Sequence, residues 1–171
     1  MKYILLLLLA TTFLYSNELN LDSFKAKFIQ TVTNDKGHKL EYKGSIVASK
    51  PQYMLWSYTF PAKKDIVINN YRVTVIEYDI EQVQIRNIHG DFDFFKILKK
   101  AKKIKPNVYE ANFNEIKYLL KLDAGKISSI SYLDELENSI LITFSEQEEN
   151  VKIDKSIFTP NIPLDFDIIR D

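Results

Sequence analysis

Apolar and polar side chains alternate at every second residue through most of this chain, and that period constrains the fold more than any other feature. In the segment FKAKFIQTV, one face carries Phe24, Ala26, Phe28, Gln30 and Val32, and the other carries Lys25, Lys27 and Thr31. The segment KLEYKGSIVAS shows the same period after NDKG, residues 34–37. This alternation is typical of β-strands that bury one face, and Asn, Asp and Gly mark the turns between them.

Segments of the same kind continue to the end of the chain. We expect a hairpin with its turn at Asn69-Asn70, a solvated turn over Glu146–Glu149 and a last short strand over Phe166–Ile169. About ten or eleven strands separated by short turns predict a mainly β fold. The predicted architecture is a single antiparallel sheet of about 11 strands, curled into an incomplete, unclosed barrel.

The period changes to that of a helix in DFDFFKILKKAKKIK, residues 91–105. One arc of this predicted amphipathic helix carries Phe94, Phe95, Ile97, Leu98, Ala101 and Ile104, and lysines occupy the other. Asp91 is the predicted N-cap, and Pro106 ends the helix. The lysines are either a solvated helix face or a contact surface for an anionic membrane or an acidic protein.

Residues 1–16, MKYILLLLLATTFLYS, have the organisation of a secretory signal peptide, with Lys2 before an apolar run and Ser16 before polar residues. An uncleaved anchor is the alternative, but the run is shorter than the ~20 residues that a membrane-spanning helix needs. We expect cleavage near Ser16 and one domain over residues 17–171. The sequence has no cysteine, so we expect an exported periplasmic protein that is not itself lipidated.

Few residues suggest catalysis. His38 and His89 lack metal-ligand spacing, and the sequence has no phosphate-binding loop or nucleophile motif. Positive and negative residues both number 23, which does not favour nucleic acid as a partner. We therefore expect a monomer that is not an enzyme and has no metal or cofactor.

The segment KPQYMLWSYTFP, residues 50–61, is unusually apolar for a strand. One set of alternate residues is Met54, Trp56, Tyr58 and Phe60, and Tyr53 and Leu55 belong to the opposite face. The inward apolar residues either fill a barrel core or line a ligand cavity. The candidates for the cavity are Phe24, Phe28, Val32, Met54, Trp56, Tyr58, Phe94, Phe95 and Leu98.

These segments together resemble the periplasmic outer-membrane lipoprotein carriers, the LolA family. The matching positions are Phe24, Ala26, Phe28, Gln30, Gly44, Lys50-Pro51, Trp56 and Pro61. The central helix and the tail FTPNIPLDFDII fall where the family has its lid helix and Pro-containing tail. The resemblance covers essentially all of the chain after the signal peptide, by pattern rather than by identity after Tyr78.

The resemblance implies an unclosed barrel with a helical lid over a hydrophobic cavity. Such carriers accept triacylated lipoproteins from an inner-membrane ABC lipoprotein-releasing complex, hide the acyl chains and deliver them to an outer-membrane, LolB-like acceptor. Lys50 stands where the family has an arginine that latches the lid, so we expect a weaker latch here or one shared with another residue. The alternatives are a LolA-like domain that binds another lipid or glycolipid or senses envelope stress, and an interaction module with a packed barrel.

Overall fold

The computed structural model describes residues 19–87 and 93–170. The strands are β1 (Ser23–Thr33), β2 (Lys39–Ser49), β3 (Tyr53–Phe60), β4 (Lys64–Asn69), β5 (Arg72–Glu77), β6 (Gln82–Asn87), β7 (Lys102–Lys105), β8 (Val108–Phe113), β9 (Ile116–Asp123), β10 (Lys126–Leu133), β11 (Ser139–Glu149) and β12 (Asp167–Arg170). The described residues also form one α-helix, α1 (Phe94–Lys100), and two 3-10 helices, Tyr78–Ile80 and Lys155–Phe158. The predicted signal peptide, His89 and the predicted cap Asp91 lie outside these ranges.

All twelve strands belong to one sheet, in the order β12-β6-β5-β4-β3-β2-β1-β11-β10-β9-β8-β7. The sheet does not close, because β12 and β7 are its two edges. Inner-face residues of β4 and β5 nevertheless share one core with those of β8 to β11, so the sheet must curl. The predicted incomplete barrel is confirmed, with β12 parallel to β6 and the other pairs antiparallel.

The core occupies the concave side of this sheet. Its β1 residues are Phe24, Ala26 and Phe28, which are at most 3% exposed, as the period of two predicts. Helix α1 adds Phe94, Phe95, Ile97 and Leu98 to the same core. Within the described residues, no helix is long and apolar enough to cross a membrane.

The central helix is shorter than predicted. Asp93, rather than Asp91, is its N-cap, with its carboxylate accepting a hydrogen bond from the Lys96 amide at 3.0 Å. The helix ends at Lys100, and Lys102–Lys105 form β7, which pairs with β8. A tight turn through Pro106 and Asn107, whose φ is 58°, brings these strands together. Strand pairing therefore replaces the predicted last helical turn.

Two bulges correct predictions made from the simple period. Glu146 has a φ of 53° where the pairing of β1 with β11 shifts register, so Glu146–Glu149 belong to β11 rather than to a turn. In β3, a register shift pairs Phe60 with Lys43 instead of an inward residue. Phe60 is consequently 51% exposed and does not join the inward set. Bulges insert one residue and reverse the alternation beyond it.

Two strand ends differ from prediction by one residue. The β4–β5 turn is formed by Asn70 and Tyr71 rather than by Asn69 and Asn70, since Asn69 still pairs with Arg72. Asn70 takes the left-handed conformation, with a φ of 55°, which Asn tolerates better than most residues. The last strand is likewise Asp167–Arg170 rather than Phe166–Ile169.

The C-terminal segment covers the convex face of β3 to β6. Phe158 is fully buried, its ring lies 5.5 Å from that of Tyr53, and its carbonyl accepts a hydrogen bond from Asn69 Nδ2 at 3.3 Å. The buried convex residues of these strands are Val67, Thr74, Ile76 and Val83. This cover explains why β3 is apolar on both faces.

Candidate functional site

A cavity of about 230 Å³ opens within the concave side of the sheet. Its walls come from β1, β3 to β6 and β9 to β11, and α1 contributes Phe94 and Ile97. The described lining residues are Gln30, Met54, Trp56, Tyr58, Ile66, Ile68, Val73, Arg86, Phe94, Ile97, Tyr118, Ile130, Tyr132, Ile142 and Phe144. Most of this lining is aliphatic or aromatic, which is typical of pockets for apolar ligands.

Four of the predicted cavity residues line this space: Met54, Trp56, Tyr58 and Phe94. The other five are not among its lining residues. Phe24, Phe28, Phe95 and Leu98 are buried in the surrounding core, and Val32 packs against that core. The structure therefore divides the predicted set into a lining and its support.

Sequence reasoning missed the lining that comes from the second half of the chain. Tyr118, Ile130, Tyr132, Ile142 and Phe144 lie on β9, β10 and β11. The alternation in those strands predicted that each strand has one apolar face, and this pattern is the sequence signal that could have identified the lining residues. It does not reveal which apolar faces meet around a common space.

Aromatic packing stiffens the wall beside β3. The Phe28 ring lies 5.0 Å from that of Trp56 and 5.2 Å from that of Tyr58. The indole Nε1 of Trp56 is buried without a hydrogen-bond partner among the described residues. A buried donor without a partner costs about 1–3 kcal/mol, so this wall is not optimised for stability alone.

The polar part of the lining consists of Gln30, Arg86 and the phenol groups of tyrosines. Tyr58 donates a hydrogen bond to Gln30 Oε1 at 2.9 Å, and burial raises its pKa above the ordinary value, with Tyr132 and Tyr42 adding to the rise. Burial, followed by the neighbouring Tyr118 and Asp134, raises the pKa of Tyr132 to about 12. These phenols therefore stay protonated at physiological pH and bring no negative charge to the cavity.

Helix α1 covers the end of the barrel where β1 begins. The Phe94 ring lies 5.4 Å from that of Phe24, and Leu19 and Leu21 are buried in the same core. Lys50, the predicted latch, contacts the N-terminal segment: its Nζ lies 2.8 Å from Asp22 Oδ1 and 3.3 Å from Asn20 Oδ1. The same Nζ lies 5.9 Å from the centre of the Phe95 ring.

The contacts of Lys50 therefore match those of a lid latch only in part. No hydrogen bond joins Lys50 to a backbone carbonyl of α1 among the described residues. Its contact with the helix is the cation–π approach to Phe95, and its ion pair is with the segment before β1.

No cluster of possible metal ligands occurs in residues 19–87 and 93–170. The apolar lining suits the burial of an apolar group.

Known proteins of similar sequence share one description. The family model for the outer membrane lipoprotein carrier protein LolA matches residues 19–93. An outer-membrane lipoprotein carrier protein of Campylobacter jejuni is 38% identical, with 92% of each chain covered. One of Helicobacter pylori strain J99 is 39% identical, covering 88% of this chain and 82% of the relative.

Solved structures agree on the fold. A LolA superfamily protein of Nitrosomonas europaea superposes with a TM-score of 0.53 at 13% identity, covering 85% of this chain and 94% of that one. A conserved protein of Thermus thermophilus reaches 0.55 at 13% identity, covering 90% and 93%. The open barrel and its apolar cavity agree with the sequence identity to the two lipoprotein carrier proteins. The chain belongs to the outer-membrane lipoprotein carrier protein family, LolA.

Proposed function

We propose that this protein carries acylated lipoproteins across the periplasm by enclosing their acyl chains in the cavity beneath α1. The observation that carries the proposal is the cavity itself, whose lining is apolar on both halves of the sheet. The relatives' description as outer-membrane lipoprotein carrier proteins names the matching cargo. The nine predicted cavity residues would then line the cavity or support its lining: Phe24, Phe28, Val32, Met54, Trp56, Tyr58, Phe94, Phe95 and Leu98.

The energetics of acyl burial shape how such a carrier works. Each buried CH₂ group contributes ~0.8 kcal/mol, so an acyl chain favours any apolar enclosure strongly. The cavity of about 230 Å³ is below the ~300–1,000 Å³ typical of pockets for drug-sized ligands. Loading therefore requires α1 to move away from the barrel and enlarge the space. A lid fixed by few polar contacts, such as those of Lys50, suits reversible opening.

The remaining parts of the proposal concern export and partners. A signal peptide over residues 1–16, cleaved near Ser16, would deliver a monomeric domain of residues 17–171 to the periplasm. The absence of cysteine from the sequence leaves no site for lipidation of the carrier itself. We propose an inner-membrane ABC complex as the donor and a LolB-like protein as the acceptor. The carrier would act by binding and release, without catalysis.

Native mass spectrometry of the protein from its own periplasm tests this function. We expect a fraction bound to triacylated lipoprotein. Ile142→Gln should lose this cargo because it places a polar amide in the lining, whereas Thr143→Gln, on the adjacent and exposed position, should retain it. Only free lipid or glycolipid in the wild-type protein would favour a different carrier, and an empty wild-type protein would contradict the proposal. The wild-type result decides even if Ile142→Gln does not fold.

A further inference from the structure

Strand β6 differs from the other walls of the barrel because its concave face is polar. In the pairing of β5 with β6, Arg86 lies opposite Val73 and Gln84 lies opposite Val75. Both valines belong to the core or pack against it. Opposite residues in an antiparallel pair share a face, so Gln84 and Arg86 point to the concave side. They lie one strand from the edge of the sheet, beside β12.

Arg86 is the one charged residue among the described residues that line the cavity. It forms no ion pair or hydrogen bond with any residue in the described part of the chain. Its side chain is exposed to solvent rather than buried, and its guanidinium group carries a positive charge. The neighbouring phenols of Tyr58 and Tyr132 are neutral, so no described lining group offsets this charge.

An arginine that has no partner among the described residues and lies beside an apolar space favours a ligand with two parts. The guanidinium offers a planar set of donors that matches a carboxylate or phosphate. Val73, Phe94 and Ile97 line the same cavity and offer contacts for hydrocarbon. With the lid closed, the cavity of about 230 Å³ is too small for three acyl chains and suits part of a single one.

We propose that the cavity also binds anionic single-chain amphiphiles, with the acyl chain against the apolar lining and the anionic group on Arg86. The proposal rests on the acyl-binding cavity of the proposed function but does not require a lipoprotein. Its ligand class is a long-chain fatty acid or a lysophospholipid with an anionic headgroup. Such a ligand would place part of its chain in the cavity and compete with lipoprotein cargo.

The test is a titration that uses the intrinsic fluorescence of Trp56, the single tryptophan of the sequence and a lining residue. Palmitate and methyl palmitate, which differ in the charge of the head, are titrated below their aggregation concentrations at pH 8 and low salt. We expect wild-type protein to bind palmitate about tenfold more tightly, as one charged hydrogen bond typically contributes. Lysophosphatidylglycerol and lysophosphatidylcholine provide the same comparison for a phosphate headgroup.

Variants assign the preference to one side chain. Arg86→Met should bind palmitate and methyl palmitate equally, and Arg86→Lys should keep part of the preference. Arg72→Met is the matched control, because Arg72 precedes the inward Val73 and lines the groove on the convex face. It should behave as the wild type does.

Each outcome decides a different point. Equal binding of charged and neutral ligands by the wild-type protein, or a preference that survives Arg86→Met, would overturn the role of Arg86 and leave the lipoprotein carrier proposal intact. A preference for palmitate but not for lysophosphatidylglycerol identifies the carboxylate as the ligand group. If neither palmitate nor its ester binds, this inference fails, while native mass spectrometry still tests the carrier function separately.

Discussion

Gly44 on β2 lies between Phe28 on β1 and Tyr58 on β3, with which it pairs. A Cβ atom at this position would collide with the carbonyl oxygen of Ser57 and lie 2.9 Å from the end of the Phe28 ring. The absence of a side chain therefore allows Phe28 to cross β2 and reach Trp56, whose ring lies 5.0 Å away. A backbone oxygen cannot rotate away as a side chain can, so the collision must move a strand.

We expect Gly44→Ala to lower the free energy of unfolding by about 1–3 kcal/mol, the usual cost of overpacking. The adjacent Ser45 is exposed on the opposite face, and Ser45→Ala should change that free energy by less than about 0.5 kcal/mol. Urea unfolding followed by Trp56 fluorescence measures both variants. Equal stability of Gly44→Ala and the wild type would show that the strands adjust without cost.

The sequence predicted which side chains face inward better than it predicted which residues they contact. The alternation in β1 and β3 predicted that Phe28, Met54 and Trp56 face inward, and they do. No role was assigned to Arg86 from the sequence, and the residue is exposed in the structure. Its place in the lining depends on the pairing of β6 with β5, which the sequence does not state.

Helix α1 is the lid of the proposed carrier, and reversible binding of the cargo would depend on it. Its seven residues bury Phe94, Phe95, Ile97 and Leu98 against the barrel, while the ion pair of Lys50 with Asp22 at 2.8 Å fixes the adjoining N-terminal segment. That pair is substantially exposed on both sides. Exposed ion pairs typically stabilise by ~0.2–1 kcal/mol, so we expect Lys50 to bias the lid rather than to lock it.

Lys50→Met should raise hydrogen exchange in α1 and in residues 19–22 about two- to fivefold, in keeping with the loss of one exposed pair. Lys25→Met is the control, since Lys25 also forms a 2.8 Å pair, with Glu148, but lies outside the lid contacts. Lys50→Arg should retain the protection and slow cargo release, because arginine offers more donors in a plane. Unchanged exchange in Lys50→Met would rule out a latch at this position.

Elements differ in how far their sequence determines them. The hairpins follow from local turn chemistry: Asn34 Oδ1 accepts hydrogen bonds from the amides of Lys36 and His38. The end of α1 does not follow from the local sequence, because the lysine-rich residues after Lys100 are as compatible with a helix as with the strand β7. Pairing with β8 decides between these two structures, and it is a tertiary interaction. The bulge at Glu146 is likewise set by the partner strand β1.

At the scale of the whole molecule, two antiparallel meanders, β1–β6 and β7–β11, are joined by the pairing of β1 with β11. The short turns predicted each meander, since consecutive strands usually pair. The β1–β11 pair and the parallel β12 were not predictable, because they join segments far apart in the chain. Helix α1 follows one meander and precedes the other in the chain, and its apolar residues pack into the core that both meanders share.

In the proposed carrier, acyl chains occupy the concave side of this sheet and no other surface. Met54 lines the cavity, whereas its neighbour Leu55 pairs with Val67 on the opposite face. A photo-crosslinking amino acid at each position, introduced singly into the full chain in living cells, distinguishes the two faces. We predict adducts with triacylated lipoprotein from position 54 and few or none from position 55. Equal adducts at both positions, or none at position 54, would contradict the account.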